Sequence, residues 1–206
     1  MVWLGPENAE THGLSVIAEG IMVTTPIATP QGWVAAGSLG PGACVLTFDH
    51  GPQVVVSAQI QPLSAAFRPL WPLLVPAWSL DNREDLVLLP EQKLLIEADL
   101  AESLYGDPFA LIPAAAMDGW RGISRWRPSD GMAAVVLTFD DPQIVYASRG
   151  VLLSCAGDPF AAPDWHAPDH AAYSMAQARH LLACLMAEEA GAALRTLGQH
   201  QIGLRA

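Results

Sequence analysis

Apolar positions in the first three-quarters of the chain fall in short runs rich in Val, Leu, Ile and Thr, such as Val45-Leu46-Thr47-Phe48 and Val135-Val136-Leu137-Thr138. Most of the chain's seventeen glycines and seventeen prolines punctuate these runs. Proline removes a ladder donor and fixes φ, and glycine supplies the positive φ that tight turns need, so the spacing predicts short strands. The chain reads as all-β up to about Cys155. One internal echo agrees: Val45-Leu46-Thr47-Phe48-Asp49 with Pro52-Gln53-Val54-Val55 returns as Val136-Leu137-Thr138-Phe139-Asp140 with Pro142-Gln143-Ile144-Val145. Each copy reads as a β-hairpin, a strand followed by Asp and Pro turn signals and a second strand. The echo argues for strand content; two short matches do not establish a duplication.

The tail has a different period. After loop-like sequence from Pro163 to His170, Ser174-Met175-Ala176-Gln177 offers a capping box, in which the Ser174 hydroxyl and the Gln177 side chain satisfy each other's free amides. Ala178, Leu181, Leu182, Leu185, Met186, Leu194 and Leu197 then recur at three- and four-residue intervals, with Gly198 as the stop. This predicts an amphipathic helix of about six turns, packed by one face on the β core or presented to a protein partner or a second copy of the chain.

Composition narrows the functional classes. The chain of 206 residues is 51% hydrophobic and 15% charged, a globular balance. Its net charge of −11 and the lack of a basic patch argue against nucleic acid and anionic membrane as partners. Glu7 and Glu10 precede any basic residue, and Pro69, Pro72 and Pro76 interrupt the most apolar stretch. Neither a secretory signal nor a membrane span is expected, which points to the cytoplasm.

Cys44, Cys155 and Cys184 are far apart and odd in number, which fits unpaired thiols in a reducing compartment. In the tail, His166 with His170 and His180 with Cys184 have the i, i+4 spacing of paired zinc ligands, and Cys155 could join them. Pro163 and Pro168 spoil a helix around His166, and a surface histidine beside a core-facing cysteine explains the second pair equally well. With no CxxC or HExxH anchor, the expectation is no metal and no cofactor. Trp33, Trp71, Trp78, Trp120, Trp126 and Trp165 read mainly as core residues, with Arg121, Arg125 and Arg127 placed to stack on Trp120 and Trp126.

Three ordered blocks add a resemblance. Thr24-Thr25-Pro26-Ile27-Ala28-Thr29-Pro30-Gln31-Gly32-Trp33, continued by Gly40-Pro41-Gly42-Ala43-Cys44-Val45-Leu46-Thr47-Phe48-Asp49, resembles the opening of a Hint domain, the self-cleaving module of inteins and hedgehog proteins. Asp85 to Ile96 is similar to the family's DLLVSPQHRVLL pattern, and Leu104 to Ala114 is similar to an LFGEPEVLVPA run of bacterial Hint proteins. The resemblance covers roughly Gly20 to Cys155. It implies a mainly β, horseshoe-like fold of two related halves, here with an N-terminal lead (1–19), the Hint-like β domain (20–155) and a loop with the C-terminal helix (156–206).

The resemblance also implies a reaction. A cysteine or serine ahead of the first block attacks the preceding carbonyl, and the histidine of a Thr-x-x-His block protonates the departing nitrogen. Gly20 stands at the first place and Gln92 at the second, with Leu89 where a small hydroxyl residue belongs. Glycine offers no nucleophile, and a carboxamide does not titrate near neutral pH. Thr24, Thr25 and Thr29 are the nearby hydroxyls, with His12 and His50 the nearest imidazoles in sequence. The expectation is a degenerate Hint domain with no catalytic residue, acting as a binding or scaffolding module. Its alternative is an autoprocessing protease using an unconventional hydroxyl.

Overall fold

The computed structural model describes residues 17–63, 70–159 and 170–203, with side chains of the last helix described to Arg195. Among these residues, fourteen strands join in one strongly branched sheet. The N-terminal half contributes β1 (Ile21–Met22), β2 (Pro26–Thr29), β3 (Gly32–Ala35), β4 (Cys44–Thr47), β5 (Gly51–Val54), β6 (Ser57–Pro62) and β7 (Leu73–Val75). After β8 (Leu86–Leu88) and β9 (Lys93–Glu97) a short helix, α1 (Asp99–Tyr105), leads into β10 (Phe109–Pro113) and β11 (Ser124–Arg125). The long strands β12 (Ala133–Phe139), β13 (Gln143–Ala147) and β14 (Val151–Gly157) complete the sheet, and α2 (Met175–Gly203) follows. The mainly β architecture with a C-terminal helix is therefore what forms.

The strands are legible as period-two patterns. In β4 and β14 buried residues alternate with half-buried ones, which places Val45, Val151, Leu153 and Cys155 inward. Their side chains join Ile27, Leu73, Leu137 and Phe139 in one continuous core. A smaller cluster of Met22, Leu89 and Ala134, flanked by Ile17, lies beside it. Strand β14 joins the two halves of the sheet: its first five residues pair antiparallel with β13, and Ala156 and Gly157 pair in parallel with Thr138 and Phe139 of β12.

That crossing corrects the second predicted hairpin. The first copy of the echo is one, since β4 and β5 pair from Cys44↔Val54 to Thr47↔Gly51. In the second copy β12 and β13 form as strands, but β12 pairs with β1, β6 and β14, and β13 with β2, β4 and β14. Pro142 lies between the two strands and packs so tightly under Gly157 that a Cβ there would lie 2.9 Å from the proline ring. The all-β reading also omits α1. Asp99 and Glu102 favour its first turn, and Gly106 closes it in the left-handed conformation at φ 86°, donating its N–H to the Glu102 carbonyl.

The predicted capping box is present: the Ser174 amide donates to Gln177 Oε1 at 3.0 Å and the Gln177 amide to Ser174 Oγ at 3.3 Å. The helix does not stop at Gly198 but runs to Gly203. A glycine costs a helix only about 1 kcal/mol against alanine, too little to end a run of good helix formers with no proline behind it. Nor is α2 amphipathic along its length. Ala178, Leu181 and Leu182 are buried in the main core, whereas from Met186 onward the described side chains are almost all exposed, Leu194 at 70%. No helix among the described residues is long and apolar enough to cross a membrane.

The two parts of α2 should respond differently to truncation. Leu181→Ala is expected to lower unfolding stability by about 2–4 kcal/mol, because it opens a cavity in the core. Met186→Ala should change it by less than about 0.5 kcal/mol, as for an ordinary surface site. Urea denaturation of the two variants checks the difference.

Candidate functional site

Three elements bring together the two positions that the sequence marks as altered, which lie 72 residues apart. Gly20 leads directly into β1, whose Ile21 pairs with Val135 of β12 and Leu88 of β8. Gln92 ends the turn between β8 and β9, where its amide donates to the Leu89 carbonyl at 3.1 Å. Ser154 supplies a carbonyl from β14. The neighbouring backbone is tied as well, with the Glu91 amide donating to the Ala18 carbonyl at 2.8 Å.

At the centre, the Gly20 amide donates to Gln92 Oε1 at 3.2 Å. Gln92 Nε2 donates to the Ser154 carbonyl at 2.8 Å and to its neighbour Lys93's carbonyl at 3.1 Å. The side chain is only 1% exposed, and all three of these contacts are of the right polarity. Rotating the carboxamide by half a turn would set NH2 against N–H and oxygen against two carbonyls, so its orientation is determined. Gln92 thus presents a lone pair to the nitrogen of the 19–20 peptide. A group that protonates a departing amide nitrogen must present a proton there instead.

Gly20 is itself buried, with φ of 139°. A Cβ on it would meet the Val135 carbonyl oxygen at 3.2 Å and Ile17 Cδ1 at 3.3 Å. Positive φ is rarely open to residues with a side chain, so the backbone here is shaped for glycine. Leu89 is 1% exposed and packs with Met22, Ala134 and Ile17, an apolar role for a position where the resemblance implies a hydroxyl.

The other candidates are dispersed. Thr24 is exposed and Thr25 buried, while Thr29 donates to the Gly32 carbonyl at 2.7 Å and accepts from the Gln31 amide, a turn role. His50 stands in the β4–β5 turn with Nδ1 3.0 Å from Gln143 Oε1, and His12 lies outside the described residues. Cys155 is the thiol that sequence reasoning did not connect with this region: the Glu19 carboxylate reaches it electrostatically. Burial first, and Glu19 second, push that thiol up to about 12, so it stays protonated at neutral pH.

The tail residues divide in the same way. His180 and Cys184 do share a helix face, with Nε2 3.8 Å from Sγ, and His180 Nδ1 lies 2.9 Å from the Tyr105 hydroxyl. His170 Nε2 is 3.1 Å from Asp49 Oδ1, and its ring packs against Phe48 and Phe109. Cys155 sits in the core, and His166, like Trp165, lies outside the described residues.

The tryptophans correct the expectation that they are mainly core. Trp120 is buried, Trp71 and Trp126 are half-buried, and Trp33 and Trp78 are 42% and 68% exposed. Trp33 lies on the largely exposed β3, and Trp78 is held at positive φ in an exposed loop with Arg83 above its ring. Arg121 stacks over Trp120 at 4.4 Å as anticipated, whereas Arg125 turns to Asp118 at 3.3 Å.

Gln92→Leu should lower stability by about 2–4 kcal/mol, since it strands the Gly20 N–H and the Ser154 carbonyl in a buried site; chemical denaturation measures the loss. Cys155 gives a pH prediction. Its folded pKa lies above the ordinary 9.0, so its contribution is complete below pH 9 and is lost as pH rises toward 12. Denaturation from pH 8 to 11 should therefore show a shallower decline for Cys155→Ala than for the unaltered chain.

The sequence matches the Hint domain family over residues 21–153, well over half the chain. Among solved structures, it is similar to a bacterial intein-like domain from Clostridium thermocellum, at 14% identity over 66% of this chain and 97% of that one, with a TM-score of 0.48. It is also similar to the MchDnaB-1 intein, at 16% identity over 66% and 98% of the two chains with a TM-score of 0.42. The Msm DnaB1 intein splicing domain bound with zinc matches at 15% identity over 64% and 98%, with a TM-score of 0.43. No curated protein matches the sequence. On the family match, with a mainly β sheet that runs through the same residues, the chain belongs to the Hint domain family.

Proposed function

We propose that this Hint domain does not cleave itself and serves as a binding or scaffolding module. The observation that carries the reading is the Gly20 amide held at 3.2 Å by Gln92 Oε1. Self-cleavage needs a nucleophile beside the peptide and a proton delivered to its nitrogen. Gly20 offers neither thiol nor hydroxyl, and the carboxamide accepts from the nitrogen. Cys155, the thiol that feels Glu19, is buried and protonated, with no titrating base at the 92 position to activate it.

A binding role uses what the fold retains. The outer part of α2 offers exposed Met186 and Leu194 to a protein partner or a second copy. The net charge of −11 argues against polyanionic partners in the same reading.

Intact mass spectrometry of the purified chain tests the proposal. Incubated alone, with dithiothreitol and with hydroxylamine, the protein should keep its full 21.9 kDa mass. A fragment pair from scission between Glu19 and Gly20 would overturn the proposal and restore an autoprocessing role through an unconventional nucleophile. Gly20→Cys should also remain intact, and should be less stable by about 1–3 kcal/mol, because the thiol would enter at a positive φ shaped for glycine.

A further inference from the structure

A second feature lies apart from the Gly20–Gln92 pair and shares no residue with it. Between β9 and the start of β14 is an open cleft of about 360 Å³, roofed by α2. Strand β14 pairs with β9 only at Leu152↔Leu95 and Leu153↔Leu94, so the two strands part beyond these residues and leave the space. Ile96, Val151, Trp120 and Leu185 line it with apolar side chains that belong to, or pack against, the main core. Asp81 and Glu97 stand at the rim, both exposed.

The walls are built rigidly. Every non-glycine residue with positive φ among the described residues is here or next to it: Asp81 and Arg121 line the cleft, Trp78 opens the Asp81 loop, and Ser148 and Arg149 precede its Gly150. Gly150 lies so close under the loop that a Cβ would be 2.5 Å from the Asp81 carbonyl oxygen. Asn82, fully buried, ties the loop by donating to the Pro76 carbonyl at 2.9 Å and the Glu84 carbonyl at 2.8 Å. Ser79 Oγ donates to the Arg121 carbonyl at 2.9 Å and Arg121 Nη1 to the Ser79 carbonyl at 3.1 Å, which fastens the two walls together. Left-handed residues held by this many contacts gather where a fixed shape is required.

Charge decides what fits. Arg121 gives Nε and Nη2 to Glu189 Oε1 at 2.9 and 2.7 Å, so its positive charge is met within the protein. Among the described residues, neither the Asp81 nor the Glu97 carboxylate has a hydrogen-bond or ion-pair partner, although the Glu97 backbone pairs with Phe109 in the sheet. The cleft therefore combines apolar side chains with two unpaired carboxylates in a mixed lining, and its volume is that of a small-molecule site rather than a macromolecular interface. We propose that it binds a small organic cation, a primary ammonium on an apolar body: the apolar end packs against Trp120, Ile96 and Val151 and the ammonium meets Asp81 and Glu97.

Isothermal titration of the full chain with phenethylamine tests this, beside 2-phenylethanol and phenylacetate as neutral and anionic probes of the same shape. One-to-one binding of the amine is expected, with the other two at least about tenfold weaker because only the ammonium meets the rim carboxylates. Asp81→Asn combined with Glu97→Gln should weaken the amine about tenfold as well, by the same loss of charge. Binding of the alcohol as tight as that of the amine, amine binding unchanged in the double variant, or no saturable binding of the amine would each overturn the proposal. The probe comparison on the unaltered chain stands even if the double variant fails to fold.

Discussion

The arrangement around the chain's β entry depends on one side chain, the carboxamide of Gln92. Its oxygen receives the Gly20 amide, and its nitrogen serves carbonyls of β9 and β14. A buried polar group is costly when unpaired and stabilising when fully paired, and here oxygen and both amide hydrogens find partners. Three segments distant in sequence are thereby held in one register: the entry to β1, the β8–β9 turn and the middle of β14. No smaller residue at position 92 reaches all three, and an imidazole cannot present an acceptor to Gly20 together with two donors elsewhere.

The other features of the region are consistent with that tie. Gly20 adopts a positive φ that brings its amide to Gln92, and its missing Cβ leaves room for the Val135 carbonyl and Ile17. Leu89 fills the space beneath with apolar contacts to Met22 and Ala134. Glu91 fastens to Ala18, and Glu19 to Lys93 at 3.5 Å across the surface. The last of these is weak, since both partners are substantially exposed, so the hydrogen bonds carry the constraint. The peptide entering Gly20 is thereby tied to the β8–β9 turn and to β14.

Much of this was legible before any coordinates. Glycine and proline spacing announces short strands because both residues act locally, and the altered positions 20 and 92 stand out because the flanking blocks resemble the family. Their meeting through a single hydrogen bond was not legible, since 72 residues separate them and no local rule specifies the path between. The second hairpin misled for a related reason. Its Asp and Pro signals describe a turn, but whether the flanking strands pair is decided by the long-range pairing of β12 with β6 and of β13 with β14. The α2 periodicity predicts one apolar face, whereas only its first turns meet the core, and nothing in the spacing distinguishes a leucine that is covered from one such as Leu194 that is not. Trp33 and Trp78 were similarly misplaced, because residue type favours burial while loop and edge geometry decides it.

The fold thus places two separate features at different ends of β9: a closed tie at Gln92 and an open, acidic cleft beyond Leu95. The tie can be measured directly. Amide hydrogen exchange at Gly20, followed by NMR in the unaltered chain and in Gln92→Ala, reads the bond itself. Strong protection of Gly20 in the unaltered chain, with a selective rise in its exchange rate in the variant, is the predicted result. Exchange at the rate of an open amide in the unaltered chain, or a rate indifferent to Gln92, would contradict the account.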